Sequence, residues 1–249
     1  MPSISEIMVA IRVDDAELGK LDAAGQKIDA MGQRGESVGR SMQTVGLGMA
    51  AVGAAGGAMF GAALMGSLLT AEECAALTAL YPRPSVFRSR IVMARHGFGR
   101  GEYQYFANPL PEPIQALRQD LYPRLVPVAN RWQELLGRPT RYPDGLAAFL
   151  ERCHAAGQRL PTPLLLRYVQ GDFNCLHQDL YGEHVFPLQM AILLSAPDSD
   201  FTGGELVLTG QRPRMQSRAD EVVPLAQGQA VVFAVRERPV RGSGGAIAA

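Results

Sequence analysis

The sequence lacks a charge bias and is poor in cysteine. Its 249 residues carry 24 basic and 24 acidic side chains, so composition alone indicates neither nucleic acid nor an acidic partner. The three cysteines lie far apart without C-x-x-C spacing, and their odd number argues against a disulfide framework. Residues 1–15 are mixed and polar and carry no secretory signal pattern. These absences favour a reducing, cytoplasmic location.

Charge is missing again along one segment, residues 45–69, which is dominated by Gly and Ala. After this run the chain becomes rich in Arg, Pro and aromatic residues, and both lysines lie before it. The change in composition predicts a boundary near residues 66–69. We therefore expect three parts: a helical segment at 1–68, a main domain at 69–241 and a tail at 242–249.

The first segment has the pattern of a packing helix. Between residues 14 and 53, apolar residues recur at heptad spacing beside a repeated glycine, which favours close contact with another helix. The apolar run at 45–69 exceeds the ~20 residues that a bilayer requires, and basic residues precede it. Two alternatives follow: a membrane-anchoring helix with a cytoplasmic N-terminus, or an Ala/Gly-rich helix that packs on a protein partner.

The main domain reads as helices followed by short strands. Thr70 and Glu73 form a capping-box pattern that starts a helix, and Pro123 and Pro127 predict an interruption of the next. Strand-like segments lie at residues 86–94, 102–106, 164–169, 188–194, 205–208 and 230–235. The glycine-rich segment 97–101 is interpreted as a flexible turn, because a strand rather than a helix follows it. This order predicts an α+β fold with a small double-sheet jelly roll.

The residues that suggest chemistry are His177 and Asp179, placed on a predicted strand. Residues i and i+2 of a strand project to the same side, so the imidazole and the carboxylate would point together. They would supply two thirds of the 2-His-1-carboxylate triad that binds Fe(II) in oxygenases. An H-x-D triplet also occurs by chance, and a structural polar pair is the alternative.

The surrounding motifs make this triplet more specific. The chain shows Tyr168-Val-Gln-Gly171 before the triplet, Gly203-Gly-Glu205 after it, and then a Pro-x-x-x-Gly strand at 224–233. Over residues 68–241 it resembles the Fe(II)/2-oxoglutarate-dependent dioxygenases, in particular the prolyl-hydroxylase-like branch. The resemblance implies a double-stranded β-helix (jelly roll), Fe(II) as cofactor and 2-oxoglutarate as co-substrate. It implies the following roles: His177 and Asp179 as iron ligands, Tyr168 in the 2-oxoglutarate pocket, and Gly203, Gly204 and Glu205 in the turn behind the metal.

The chain departs from that family pattern after Phe233. The family has a distal His and then an Arg that clamps 2-oxoglutarate, whereas here Arg236, Arg238 and Arg241 follow without a histidine. We therefore expect an incomplete jelly roll, truncated at its C-terminal side, with an impaired or inactive site and an unprotected strand edge at residues 231–235. His184 and His96 are weak substitutes for the third ligand.

The N-terminal segment resembles the start of phage tail tape measure proteins over about residues 1–65. The alternative function is therefore a tape-measure-like helical or membrane interaction segment fused to an inactive oxygenase fragment. An iron-free binding module is the third interpretation. The sequence leaves the substrate open between a small molecule and a protein, indicates no nucleic acid, and allows a membrane or helical partner through residues 45–69.

Overall fold

The computed structural model describes residues 9–10, 62–179, 182–210, 219–235, 237–241 and 247–248. The helices are α1 (Ala71–Thr78), α2 (Glu112–Leu135) and α3 (Leu146–Ala155). The strands are β1 (Val9–Ala10), β2 (Ala62–Ser67), β3 (Phe87–Val92), β4 (Gly99–Arg100), β5 (Glu102–Phe106), β6 (Leu164–Arg167), β7 (Phe173–Asn174), β8 (Leu188–Ile192), β9 (Leu206–Gly210), β10 (Ala219–Val223), β11 (Gln229–Ala234), β12 (Val240–Arg241) and β13 (Ile247–Ala248). The domain is therefore α+β, as predicted.

Antiparallel pairing dominates the sheets. One sheet has the strand order β1-β6-β5-β3, in which β1 runs parallel to β6 and the other pairs are antiparallel. A second sheet has the order β2-β11-β8. The β9–β10 hairpin and the short pairs β4–β7 and β12–β13 complete the arrangement.

Strand alternation divides the interior into two apolar layers. Leu165 of β6, Met190 of β8 and Val232 of β11 pack with the helices in the main core. Their neighbours face the other way: Leu164 and Leu166 pack with Tyr105, and Ala191 and Val231 pack with the β9–β10 hairpin. This period of two is what a sheet covered on both faces requires. The helices therefore cover one face of the sheets, and the second face is left for the site and the hairpin.

Helix α2 runs without a break through Pro123 and Pro127, so the predicted interruption is wrong. Its buried face contributes Leu121, Leu125 and Trp132 to the main core. Tertiary packing of an apolar face supplies most of a helix's stability, and here it outweighs the loss of two backbone donors. The predicted start of α1 is confirmed, because the Thr70 hydroxyl accepts from Glu73 N–H and the Glu73 carboxylate accepts from Thr70 N–H.

The end of the long apolar run is a strand, which corrects the prediction of a helix there. Residues 62–67 pair along β11, and the next two amides, Leu68 N–H and Leu69 N–H, donate to the carbonyl of Gly228. The edge of β11 offers a row of unpaired backbone groups, and satisfying it outweighs the weak helical preference of an Ala/Gly-rich segment. The rest of the predicted helical segment, apart from Val9–Ala10 in β1, lies outside the described residues.

Two other expectations change with this strand. Because β11 lies between β2 and β8, the predicted unprotected edge at residues 231–235 is wrong. Within the part of the chain that the structure describes, no helix is long and apolar enough to cross a membrane. At the C-terminal side, Ile247–Ala248 of the predicted tail pairs with Val240–Arg241.

Candidate active site

His177 and Asp179 lie close together, although the segment that carries them is not the predicted strand. Strand β7 ends at Asn174. The last backbone hydrogen bond between the β4 and β7 segments runs from Cys175 N–H to the carbonyl of Phe98, at 2.9 Å. Beyond it the backbone is irregular, because β4 offers no further partner. The loop still brings His177 Nε2 to 3.6 Å from Asp179 Oδ1.

The orientation of His177 is fixed by its other ring nitrogen. Nδ1 lies 2.8 Å from the backbone carbonyl of Cys175. A carbonyl oxygen can only accept, so Nδ1 carries the proton in this hydrogen bond. Nε2, the other ring nitrogen, faces the Asp179 carboxylate. A histidine that donates its second nitrogen to a backbone carbonyl has the usual arrangement of a metal ligand.

Asp179 is held from the sheet rather than from its own segment. The buried Gln189 of β8 donates from Nε2 to Asp179 Oδ2 at 2.8 Å. The Asp179 side chain is only 14% exposed, whereas that of His177 is 45% exposed. The carboxylate therefore has one oxygen engaged by an amide and the other turned toward the imidazole.

One face of the first sheet carries a cluster of tyrosines. Burial is the main cause that raises the pKa of Tyr105, and the charges of Tyr103 and of Asp179 add to it. Tyr105 packs edge-on against Tyr103, with ring centroids 5.4 Å apart. On its other side the guanidinium of Arg88 lies 4.3 Å from the centre of the Tyr105 ring.

Tyr168, the predicted 2-oxoglutarate residue, follows β6 and packs against the cluster that contains Tyr105. Its ring passes directly over Gly101, where a Cβ atom would lie 2.7 Å from the ring. Gly101 therefore permits the close approach of the Tyr168 ring.

The other predicted residues lie apart from this pair. His96 is exposed and stacks on Phe98, and the backbone of His184 is held by the side chain of Gln158. Gly203 and Gly204 both have positive φ and form an exposed turn before β9, with Glu205 exposed beside them. Among the described residues, no group of three or more His, Cys, Asp and Glu side chains is arranged to hold a metal. Arg236 lies outside the described residues, as does the side chain of Arg241.

Sequence reasoning missed Gln189, Tyr105 and Arg88. Gln189 lies on a strand that pattern alone assigns to the core, and its polar side chain inside an otherwise apolar strand was the available signal. A buried amide needs a partner, and here the partner is Asp179. Tyr105 and Arg88 carried no comparable signal, because their neighbours come from other strands.

Comparison with known proteins adds a family. A protein-family model described as "Oxygenase, catalysing oxidative methylation of damaged DNA" matches residues 101–249. Two Mycobacterium tuberculosis proteins, uncharacterized protein MT2286 of strain CDC 1551 / Oshkosh and uncharacterized protein Rv2227 of strain ATCC 25618 / H37Rv, are each 53% identical over 140 residues. That match covers 56% of this chain and 60% of each relative, so the chain spans about 60% of the length of these relatives. No solved structure matches the chain.

Proposed function

The chain belongs to this oxygenase family, and we propose that it is an Fe(II)- and 2-oxoglutarate-dependent oxygenase that oxidises a damaged nucleic acid base. The observation that carries the proposal is the facing pair of His177 Nε2 and Asp179 Oδ1 at 3.6 Å. The family description supports nucleic acid as the substrate, a partner that the balanced net charge did not indicate. The prolyl-hydroxylase-like branch and the tape-measure resemblance remain predictions.

The donor pair fits a cation. With Nδ1 donating to the Cys175 carbonyl, Nε2 and the Asp179 carboxylate both face one position, which suits a shared positive charge, either a proton on Nε2 or a metal cation. Their separation of 3.6 Å is shorter than twice a metal–ligand distance of about 2.1 Å, so one cation can reach both. Non-haem Fe(II) in oxygenases is bound by imidazole and carboxylate ligands, and its remaining coordination positions stay open. His177 and Asp179 would hold the iron.

The fold around the pair supports the jelly-roll part of the proposal. The β9–β10 hairpin packs on the face of the β2-β11-β8 sheet that is opposite the helices. Tyr168 and Tyr105 pack in one cluster on the first sheet, and the Asp179 charge contributes to the raised pKa of Tyr105. We infer an incomplete double-stranded β-helix whose interior holds the site, with Tyr168 against the co-substrate.

Bound Fe(II) would supply the redox chemistry that couples O2 and 2-oxoglutarate to C–H hydroxylation, giving succinate, CO2 and one alcohol per turnover. The residues of this chain would position the iron and the co-substrate and would keep water away from them. Gln189 keeps one oxygen of Asp179 occupied, so that the other oxygen is presented on the side of His177. The tyrosine cluster would give the site apolar walls, and burial raises the pKa of Tyr105 above its usual range.

We expect Fe(II) affinity to be low and turnover to be slow in the chain as given. The described residues supply two protein ligands, and two ligands hold a metal less firmly than three. Anaerobic titration with Fe(II) in the presence of 2-oxoglutarate, followed by exposure to air and measurement of succinate, tests the proposal. Fe(II)-dependent succinate should form and should be lost in His177→Ala and in Asp179→Ala.

The matched control is His154→Ala, which removes an exposed histidine at the end of α3. It should leave succinate formation unchanged. Succinate formation that survives His177→Ala would show that iron binds elsewhere. Absence of both iron binding and succinate would favour the alternative, an inactive oxygenase fragment.

A further inference from the structure

Three large apolar side chains are exposed on the segments that lead to the candidate iron site. Phe98, Phe173 and Leu176 are 42%, 53% and 61% exposed. They lie on what we call the β4–β7 ribbon, residues 95–101 and 172–176. Adjacent exposed apolar side chains on a soluble domain mark a binding surface more often than scattered ones do.

The pairing of the ribbon places its side chains on one face. Arg100 is directly opposite Phe173, and Cys175 N–H bonds to the carbonyl of Phe98. Residues opposite each other in an antiparallel pair share a face, and residues i and i+2 of a strand do so as well. Arg100 and Phe173 therefore project from the same side. Phe98 directly precedes β4, and His96 stacks on it with centroids 5.4 Å apart. Strand β7 leads within a few residues to His177.

The glycine-rich segment 97–101 builds this ribbon. Gly99 has a φ of +116°, and a Cβ atom there would lie 2.3 Å from the carbonyl oxygen of Phe173. Only glycine permits this close approach of the two strands. Gly99 thus allows β4 and β7 to pair closely, and the two phenylalanines of the ribbon, Phe98 and Phe173, are exposed.

Charge on the ribbon is positive. Arg95 and Arg100 are exposed. Against these two arginines the ribbon has one acid, Asp172, whose carboxylate accepts from Val169 N–H at 2.9 Å, while Glu102 just beyond the ribbon pairs with Arg90 and Arg167. Exposed aromatic rings beside arginines are the combination that binds single-stranded nucleic acid, because rings stack on bases while arginines contact phosphates.

We propose that the β4–β7 ribbon binds the single strand of nucleic acid that flanks the target base. Phe98 and Phe173 stack on bases, and Arg100 contacts a phosphate. The proposal rests on the proposed function in taking nucleic acid as the substrate, and it adds where that strand lies. A base that is oxidised must leave its helical stack, so a surface that holds unstacked neighbours next to the iron site serves the reaction.

Fluorescence anisotropy of the full chain in EDTA, with a fluorescein-labelled single-stranded oligonucleotide of about 15 nucleotides, tests this surface. Phe98→Ala and Phe173→Ala should each weaken binding by about tenfold, the loss expected for one stacked base. Arg100→Gln should reduce the slope of log affinity against log salt by about 0.7, the loss of one phosphate contact. All three side chains are exposed, so the variants should melt as the wild type does.

Two controls are matched to these changes. Leu160→Ala removes an apolar side chain that is 50% exposed outside the ribbon, and Arg124→Gln removes an exposed arginine of α2. Both should bind as the wild type does. Equal loss in the controls, unchanged binding in both phenylalanine variants, or preference for the duplex would overturn the proposal. If Fe(II)-dependent succinate forms but no oligonucleotide binds, the ribbon proposal fails while the oxygenase chemistry stands.

Discussion

Replacing Gly228 with alanine tests whether residues 62–69 belong to the folded domain. Gly228 has a φ of +78°, and a Cβ atom there would lie 2.1 Å from the carbonyl oxygen of Leu69. That carbonyl cannot retreat easily, because Leu68 N–H and Leu69 N–H both donate to the Gly228 carbonyl, at 2.8 and 3.3 Å. The substitution must therefore strain the backbone and separate the two segments.

The expected cost follows from these two effects. The left-handed conformation costs a non-glycine residue about 1–2 kcal/mol, and each lost backbone hydrogen bond costs about 1 kcal/mol. Gly228→Ala should lower the free energy of unfolding by roughly 3–4 kcal/mol and the melting temperature by about 10 °C. Gly157→Ala is the control, since Gly157 has a φ of +82° with nothing within 4 Å of a Cβ atom. It carries only the conformational cost, about 1–2 kcal/mol.

Urea unfolding followed by circular dichroism, together with thermal melting, measures both variants against the wild type. The difference between the two substitutions isolates the contact with Leu69. If Gly228→Ala destabilises the protein no more than Gly157→Ala does, the segment around Leu69 does not pack on β11 as described. The case for β2 as part of the domain would then be lost.

Three further predictions concern the site and the ionisable core. Gln189→Leu should lower Fe(II) affinity by about 10- to 100-fold in anaerobic titration, because Asp179 loses its orienting amide, and unchanged affinity would refute that role. Burial raises the pKa of Cys74 to about 12, so Ellman's reagent at pH 8 should titrate the exposed Cys175 quickly and Cys74 only on unfolding; Cys175→Ser should abolish the fast phase. Burial also raises the pKa of Tyr142 to about 12. Since its folded pKa exceeds the unfolded value near 10, its contribution to stability is complete below pH 10 and is lost toward pH 12. Tyr142→Phe should flatten the pH dependence of stability in that window, and an unchanged slope would contradict this.

Local patterns predicted much of the domain. Strand β5 has the predicted bounds, β11 is shifted by one residue, and the capping box at Thr70 starts α1. Strand β2 escaped prediction, since its Ala/Gly-rich composition favours a helix and its partner β11 lies far along the chain. The β4–β7 pair escaped because two residues per strand produce no periodicity.

The candidate site was predicted in part, by a mechanism that differs from the observed one. The spacing of His177 and Asp179 predicted their proximity through strand alternation, whereas the structure achieves it in a loop. What fixes the pair is nonlocal: the Cys175 carbonyl orients the ring and Gln189 orients the carboxylate. The contact between Gln189 and Asp179 could not be predicted from the sequence, because it joins a loop residue to a residue of strand β8.

The composition break near residue 69 looks like a join between unrelated parts, yet the pairing connects it to the site. Ala62 of β2 lies opposite Phe233 of β11, and Phe233 lies opposite Gln189 of β8 on its other side. Gln189 in turn holds Asp179. The apolar segment is therefore connected to the carboxylate that would hold iron by two strand pairings, β2–β11 and β11–β8, and by the side-chain amide of Gln189. Since a central strand is positioned by both neighbours, the segment before residue 69 supports the register of β11, and through β8 it supports the orientation of Asp179. The end of the apolar run, residues 62–67, is thus part of the sheet that carries Gln189, which its composition did not indicate.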